Sequence, residues 1–147
     1  MPMPSDDAPD LADLLAAALA VRQRAYAPYS GYLVGAALRD ADGAVHVAAN
    51  VENAAYPQGQ CAEASAIGVM IAAGGRRITE ALVVADASHG IPTPCGGCRQ
   101  RLREFMPLDA LVHLAGVDEG IMGSVTLGEL LPMSFGPEYL VAPEDPA

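Results

Sequence analysis

Tryptophan is absent, and aromatic residues make up only 5% of the 147-residue chain, so alanine and aliphatic side chains must fill the interior. That length suits one domain, 1–147, around one hydrophobic core, with flexible ends expected at about 1–9 and 142–147. No apolar run reaches the ~18 residues that a membrane-crossing helix needs. The opening stretch, Met1 to Asp10, is acidic and proline-rich, without the basic start and apolar block of a secretory signal. A cytoplasmic location is therefore expected. Positive charge is scarce too: 8 basic residues face 18 acidic ones, for a net charge of −10. Nucleic-acid binding needs cations that displace counterions from phosphates, and the only basic clusters are Arg76-Arg77 and Arg99 to Arg103. This balance argues against a polyanion or a membrane as partner and suits a small neutral substrate. Cysteine is rare, at three residues. In a reducing compartment so few thiols make metal ligands or structural thiols, not a disulfide framework.

All three cysteines fall in one split pattern, Cys61-Ala62-Glu63 followed by Pro94-Cys95-Gly96-Gly97-Cys98. Three thiolates match a catalytic zinc site, which uses three protein ligands and keeps a fourth position open for water. A structural site would need a fourth ligand, and His46, His89 and His113 do not stand at ligand spacing. Three unrelated buried thiols are the remaining alternative. Each half of the pattern opens an expected helix, where unpaired N–H groups and the dipole favour thiolate. Cys95 and Cys98 are three apart and so share a helix face. Glu63, in the first turn beside Cys61, is the candidate proton carrier for activated water. Its bland alternative is a carboxylate that complements the helix dipole.

Helices are expected over 10–26, capped by Asp10 and stopped at Pro28, then over 61–73 and 95–105. Strands are expected over 33–39, 45–50, 78–85, 111–115 and 123–126, with a helical turn over 127–131. Asp42-Gly43 between apolar runs predicts a hairpin of the first two strands. The short 116–122 connection forbids a parallel crossover, so the last two strands should be antiparallel. The expected fold is a three-layer α/β/α sandwich around a mixed five-stranded sheet.

Several stretches resemble the homotetrameric, zinc-dependent cytidine deaminases. They are Tyr29-Ser30-Gly31-Tyr32-Leu33-Val34-Gly35-Ala36-Ala37-Leu38, Asn50-Val51-Glu52-Asn53-Ala54-Ala55-Tyr56-Pro57, Cys61-Ala62-Glu63, Pro94-Cys95-Gly96-Gly97-Cys98-Arg99-Gln100 and Leu131-Pro132-Met133-Ser134-Phe135-Gly136-Pro137. The likeness runs from about Leu14 to Leu140 in the same order. It implies a cytidine deaminase-like fold and hydrolytic deamination of cytidine and 2′-deoxycytidine in pyrimidine salvage. It implies one Zn2+ per subunit on Cys61, Cys95 and Cys98, with Glu63 moving protons between water, ring N3 and the leaving amino group. Asn50 and Glu52 would hold the ribose, and the Ala62 N–H the base carbonyl. Tyr32 would pack on the pyrimidine, while Tyr56 and Phe135 would reach a neighbouring subunit's site. Many members carry Arg directly after the Cys-Ala-Glu motif, where this chain has Ala64. The helix ends are expected to carry most of the missing charge compensation, with Gln60 as a minor helper; Arg99, adjacent to Cys98, either adds a full charge or simply faces solvent. Three other readings compete. A deaminase of blasticidin S would lack the Asn50-x-Glu52 pair. A base-editing deaminase usually has His as first ligand. A non-catalytic zinc module for protein interaction would need neither Glu63 nor an open fourth position.

Overall fold

The structure, a computed structural model, describes residues 9–140. The ends expected to be flexible lie outside the described residues, except Pro9, which belongs to the first helix. The elements are α1 (Pro9–Arg22), β1 (Gly35–Asp40), β2 (Val45–Ala49), α2 (Ala62–Ala72), β3 (Ile78–Ala85), α3 (Gly96–Phe105), β4 (Leu111–Gly116), β5 (Gly120–Thr126) and α4 (Leu127–Leu130). The strands run in the order β2-β1-β3-β4-β5. β3 and β4 are parallel and the other pairs antiparallel, which gives the expected mixed sheet.

Alternation of side chains along each strand feeds two cores. Ala37, Leu82, Val84 and Ala115 meet Leu11, Leu14 and Ala18 of α1 on one face. Ala36, Leu38, Ala81, Val112 and Leu114 meet Ala62, Ala66 and Met70 of α2 and Leu102 of α3 on the other. Small residues let the layers close tightly. A Cβ on Gly35 would come within 2.1 Å of the Ala18 carbonyl oxygen, so α1 crosses β1 where only glycine fits. The first hairpin turns through Gly43 at φ +87°, a left-handed conformation that suits glycine.

Some boundaries differ from expectation. The first helix stops at Arg22, because Tyr26 leaves the helical path: its N–H donates to the Asn50 carbonyl (2.9 Å) and its carbonyl accepts from Glu52 N–H (2.8 Å). Asp10 lies in the first turn of α1 rather than at its cap. β1 starts at Gly35, two residues late, since the Val34 N–H is taken by the Asn50 side chain. β5 begins at Gly120, three residues early, because a tight turn with Gly120 at φ +71° zips it onto β4. Weak strand propensity in its glycines hid that start. The antiparallel β4–β5 pairing is as expected.

Candidate active site

Cys61 is the N-cap of α2 and Cys95 the N-cap of α3, with Cys98 one turn further along α3. Two helix N-termini therefore aim unpaired N–H groups at one point. The three sulfurs all lie within 4.8 Å of one another, with Cys61 and Cys95 Sγ 4.0 Å apart. Sulfurs bound at ~2.3 Å around a tetrahedral zinc stand about 3.8 Å apart, so the trio fits that ion with a small contraction. Among the described residues these cysteines form the only such group of potential metal ligands.

Cys98 is buried while Cys61 and Cys95 are exposed. Burial pushes the Cys98 thiol far up, with the Glu63 carboxylate and the neighbouring sulfurs adding to it. Burial likewise raises Cys61. Burial also works against Cys95, but the Cys98 N–H and the other sulfurs hold its thiol below the ordinary value. Metal binding takes thiolates, so its affinity would depend on pH through these groups. Glu63 is only 4% exposed, and burial pushes its carboxyl above the usual carboxylate range. A carboxyl that retains protons more readily is suited to carrying them.

The sulfurs open onto a cavity of about 320 Å³, lined among others by Tyr32, Asn50, Glu52, Ala62, Glu63 and Thr93. Ala62 is the first residue of α2, so its N–H has no intrahelical acceptor. Tyr32 is partly desolvated, and burial pushes its phenol up, with Asp86 adding to the shift. Asn50 fastens the cavity wall: its Nδ2 donates to the Tyr32 carbonyl (2.8 Å) and its Oδ1 accepts from Val34 N–H (2.9 Å). Glu52 accepts from the N–H groups of Tyr29 (2.9 Å) and Ser30 (3.1 Å) and from the Ser30 hydroxyl. The Ser30 bond is the main force holding the Glu52 carboxyl below the usual range.

Not every expected residue meets here. Tyr56 is 75% exposed and sits in an adjoining hollow beside Tyr29, Ser30 and Glu52, with its ring edge-on to Tyr29 at 5.9 Å. Phe135 is 54% exposed and stacks on Tyr139 at 5.0 Å, away from this cavity. Arg99 faces neither sulfur nor open solvent. It donates to the carbonyls of Pro94 and Leu130, both at 2.7 Å, and so ties the cysteine loop to α4. Gln60 pairs through its backbone with Val51 and lines a hollow between α2 and α3. The histidines stay out of the cluster. His46 pairs with Asp40 at 2.7 Å, and His113 bridges Ser124 (2.6 Å) and Glu80 (2.9 Å). Sequence reasoning gave no role to Ser30, whose place in a Ser-Gly turn was the available signal.

A buried acid beside three sulfurs at two helix N-termini, under a closed α/β/α sandwich, defines a metal-dependent hydrolase of the deaminase class. Residues 9–114 match the family described as the cytidine and deoxycytidylate deaminase zinc-binding region. The chain belongs to this family and is a hydrolytic deaminase. Family and sulfur cluster agree on zinc as the cofactor. The chain is 42% identical over 125 residues to a cytidine deaminase of Halalkalibacterium halodurans, covering 85% of this chain and 93% of that protein. It is 38% identical over 131 residues to one of Sporosarcina psychrophila, covering 89% and 95%. Its fold matches the crystal structure of cytidine deaminase from Burkholderia pseudomallei with a TM-score of 0.79 at 40% identity, covering 84% of this chain and 98% of that one. Among the described residues no helix is long and apolar enough to cross a membrane.

Proposed function

We propose that this single-domain protein converts free cytidine and 2′-deoxycytidine, with water, to uridine and 2′-deoxyuridine plus ammonia. The observation that carries the proposal is the two-ended cavity, with Glu63 beside the sulfurs at one end and the Asn50–Glu52 pair at the other. That spacing of groups suits a base at the sulfur end and a sugar at the loop end. Cys61, Cys95 and Cys98 would hold the zinc, which supplies the Lewis acidity that makes water nucleophilic near neutral pH. Glu63 takes a proton from the attacking water and delivers it to ring N3. It then helps to protonate the exocyclic amino group, so that the C4–N bond breaks and ammonia leaves. The free N–H of Ala62 donates to the base carbonyl and fixes the ring. Glu52 and Asn50 hold the ribose, chiefly its 3′-hydroxyl, which both nucleosides possess. Tyr32 packs against the pyrimidine.

The net charge of −10 supports a free nucleoside over a nucleic acid as substrate, and a free nucleoside as substrate suits a role in pyrimidine salvage in the cytoplasm. We assign Tyr56 and Phe135 to contacts with neighbouring subunits of a homotetramer. Both are large, exposed aromatic rings, Tyr56 in the hollow that adjoins the cavity and Phe135 on the C-terminal segment away from it. Zinc analysis with absorbance assays on cytidine, deoxycytidine and blasticidin S tests the substrate. Deamination of blasticidin S alone would overturn the reading in favour of a related nucleoside. Light scattering with dilution kinetics tests assembly, and a fully active monomer would overturn the shared site.

A further inference from the structure

Three thiolates around a divalent ion leave a formal charge of −1, and Glu63 places a carboxyl group beside them. The chain contains no lysine, so any side chain that permanently offsets this charge is an arginine. The arginines of α3 are placed differently. Arg99 is committed to two backbone carbonyls. Arg103 bonds Ser134 Oγ at 2.9 Å and forms an ion pair with Glu138. Arg101 is exposed, and among the described residues its guanidinium makes no hydrogen bond or ion pair.

Its position is nonetheless defined. A Cβ built on Gly97 would lie 3.0 Å from Arg101 Nη1 and 3.9 Å from Cys95 Sγ. The guanidinium therefore folds back toward the N-terminal end of α3, as helical side chains do, and lies over the bare backbone between the two cysteines of that helix. It shares the hollow between α2 and α3 with Gln60, Ala64 and Glu104. Ala64, directly after Glu63, leaves that hollow open. The positive charge of Arg101 also acts on Glu63 from there, favouring the carboxylate.

We propose that Arg101 is a positioning residue of the zinc site: admitted by Gly97 and Ala64, its guanidinium stands beside Cys95 and offsets part of the negative charge of the thiolate cluster. The inference rests on the reading of the three cysteines as zinc ligands. Because Arg101 is exposed, its effect is electrostatic and sensitive to salt. The test is zinc affinity by competition with a chromogenic chelator, measured at ~0.01 M and ~1 M ionic strength, where the Debye lengths are ~30 Å and ~3 Å. The proteins are the wild type, Arg101→Ala, Arg101→Lys and the double variant Arg101→Ala/Ala64→Arg. At low ionic strength Arg101→Ala should weaken zinc binding by about 10–100-fold, the range for groups that support ligands from outside the coordination sphere. The deficit should shrink at high ionic strength. Lysine at 101 should keep most of the affinity, and arginine at 64 should restore it from the facing helix. Unchanged affinity in Arg101→Ala at low salt would overturn the proposal. So would a loss that ignores salt and is rescued by neither cation, since that marks a packing role. A wild type that takes up no zinc would instead overturn the metal reading itself.

Discussion

The two ends of the cavity are built by different physics. The sulfur end stands on helix termini: Cys61, Ala62 and Glu63 occupy the cap and first turn of α2, and Cys95 to Cys98 those of α3. Its geometry follows from regular structure packed on a sheet. The other end is two irregular segments, around 29–32 and 50–52, fastened by side-chain to backbone bonds from Asn50 and Glu52. The first end rests on helix ends packed against the sheet, the second on a few polar contacts. Activity should accordingly fail in different ways when each is damaged.

The largest effect belongs to the sulfur end. Glu63→Gln should keep one zinc and the fold, while kcat falls by ~10²–10⁴-fold, the loss typical of a missing general acid–base. Near-normal turnover of the zinc-loaded variant would erase the contrast between the ends. Glu52→Gln removes one charge from the opposite end. It should lower kcat/KM by about 10–100-fold, mainly through KM, as expected when charged hydrogen bonds are lost. A fall in kcat alone would mean that the loop end shares in the chemistry.

Arg99→Ala tests what supports the sulfur end from behind. Freeing the Pro94 and Leu130 carbonyls should cost about 1.5–3 kcal/mol of stability in urea unfolding. Unaltered stability would make the tie to α4 incidental.

Acidification separates the ends in a further way. The Glu52 carboxyl lies below its usual value of 4.5 in the folded protein. Its contribution is therefore complete above the unfolded value and is lost as pH falls through the lower folded value. The amide signals of Tyr29 and Ser30 in NMR should thus stay unchanged down to about pH 4.5 and shift only below it. Shifts beginning at pH 6 would contradict the clamp. Gln60→Ala should do least, with zinc content and turnover within about 2-fold of wild type, as for most surface substitutions.

The same contrast explains what could be read from the amino acids. β3 was legible to the residue because Ile78 to Ala85 is a nearly continuous β-rich run. The cysteines and Glu63 were legible because one chemistry joins three rare residues at helix starts. Asn50 and Glu52 entered through family resemblance, and their work inside the chain did not. A hydrogen bond to the Tyr32 carbonyl from a side chain 18 residues away leaves no local pattern. Arg99 stayed open for the reverse reason. Adjacency to Cys98 in sequence allowed either a partner for sulfur or a solvent-facing cation, and side chains one position apart on a helix point different ways. Arg101, a turn beyond Gly97, instead lies against that glycine, whose Cβ position is 3.9 Å from Cys95 Sγ.

The split of the ligands between two helices also ties metal binding to folding. Cys95 and Cys98 are local neighbours, whereas Cys61 lies 34 residues before Cys95, with all of β3 between them. Closing that loop before the sheet exists is an entropic burden. The folded sheet offsets that burden by holding α2 and α3 so that the three sulfurs lie within 4.8 Å of one another. An ion on all three would cross-link α2 to α3, so its binding would stabilise the folded state as well as supply chemistry.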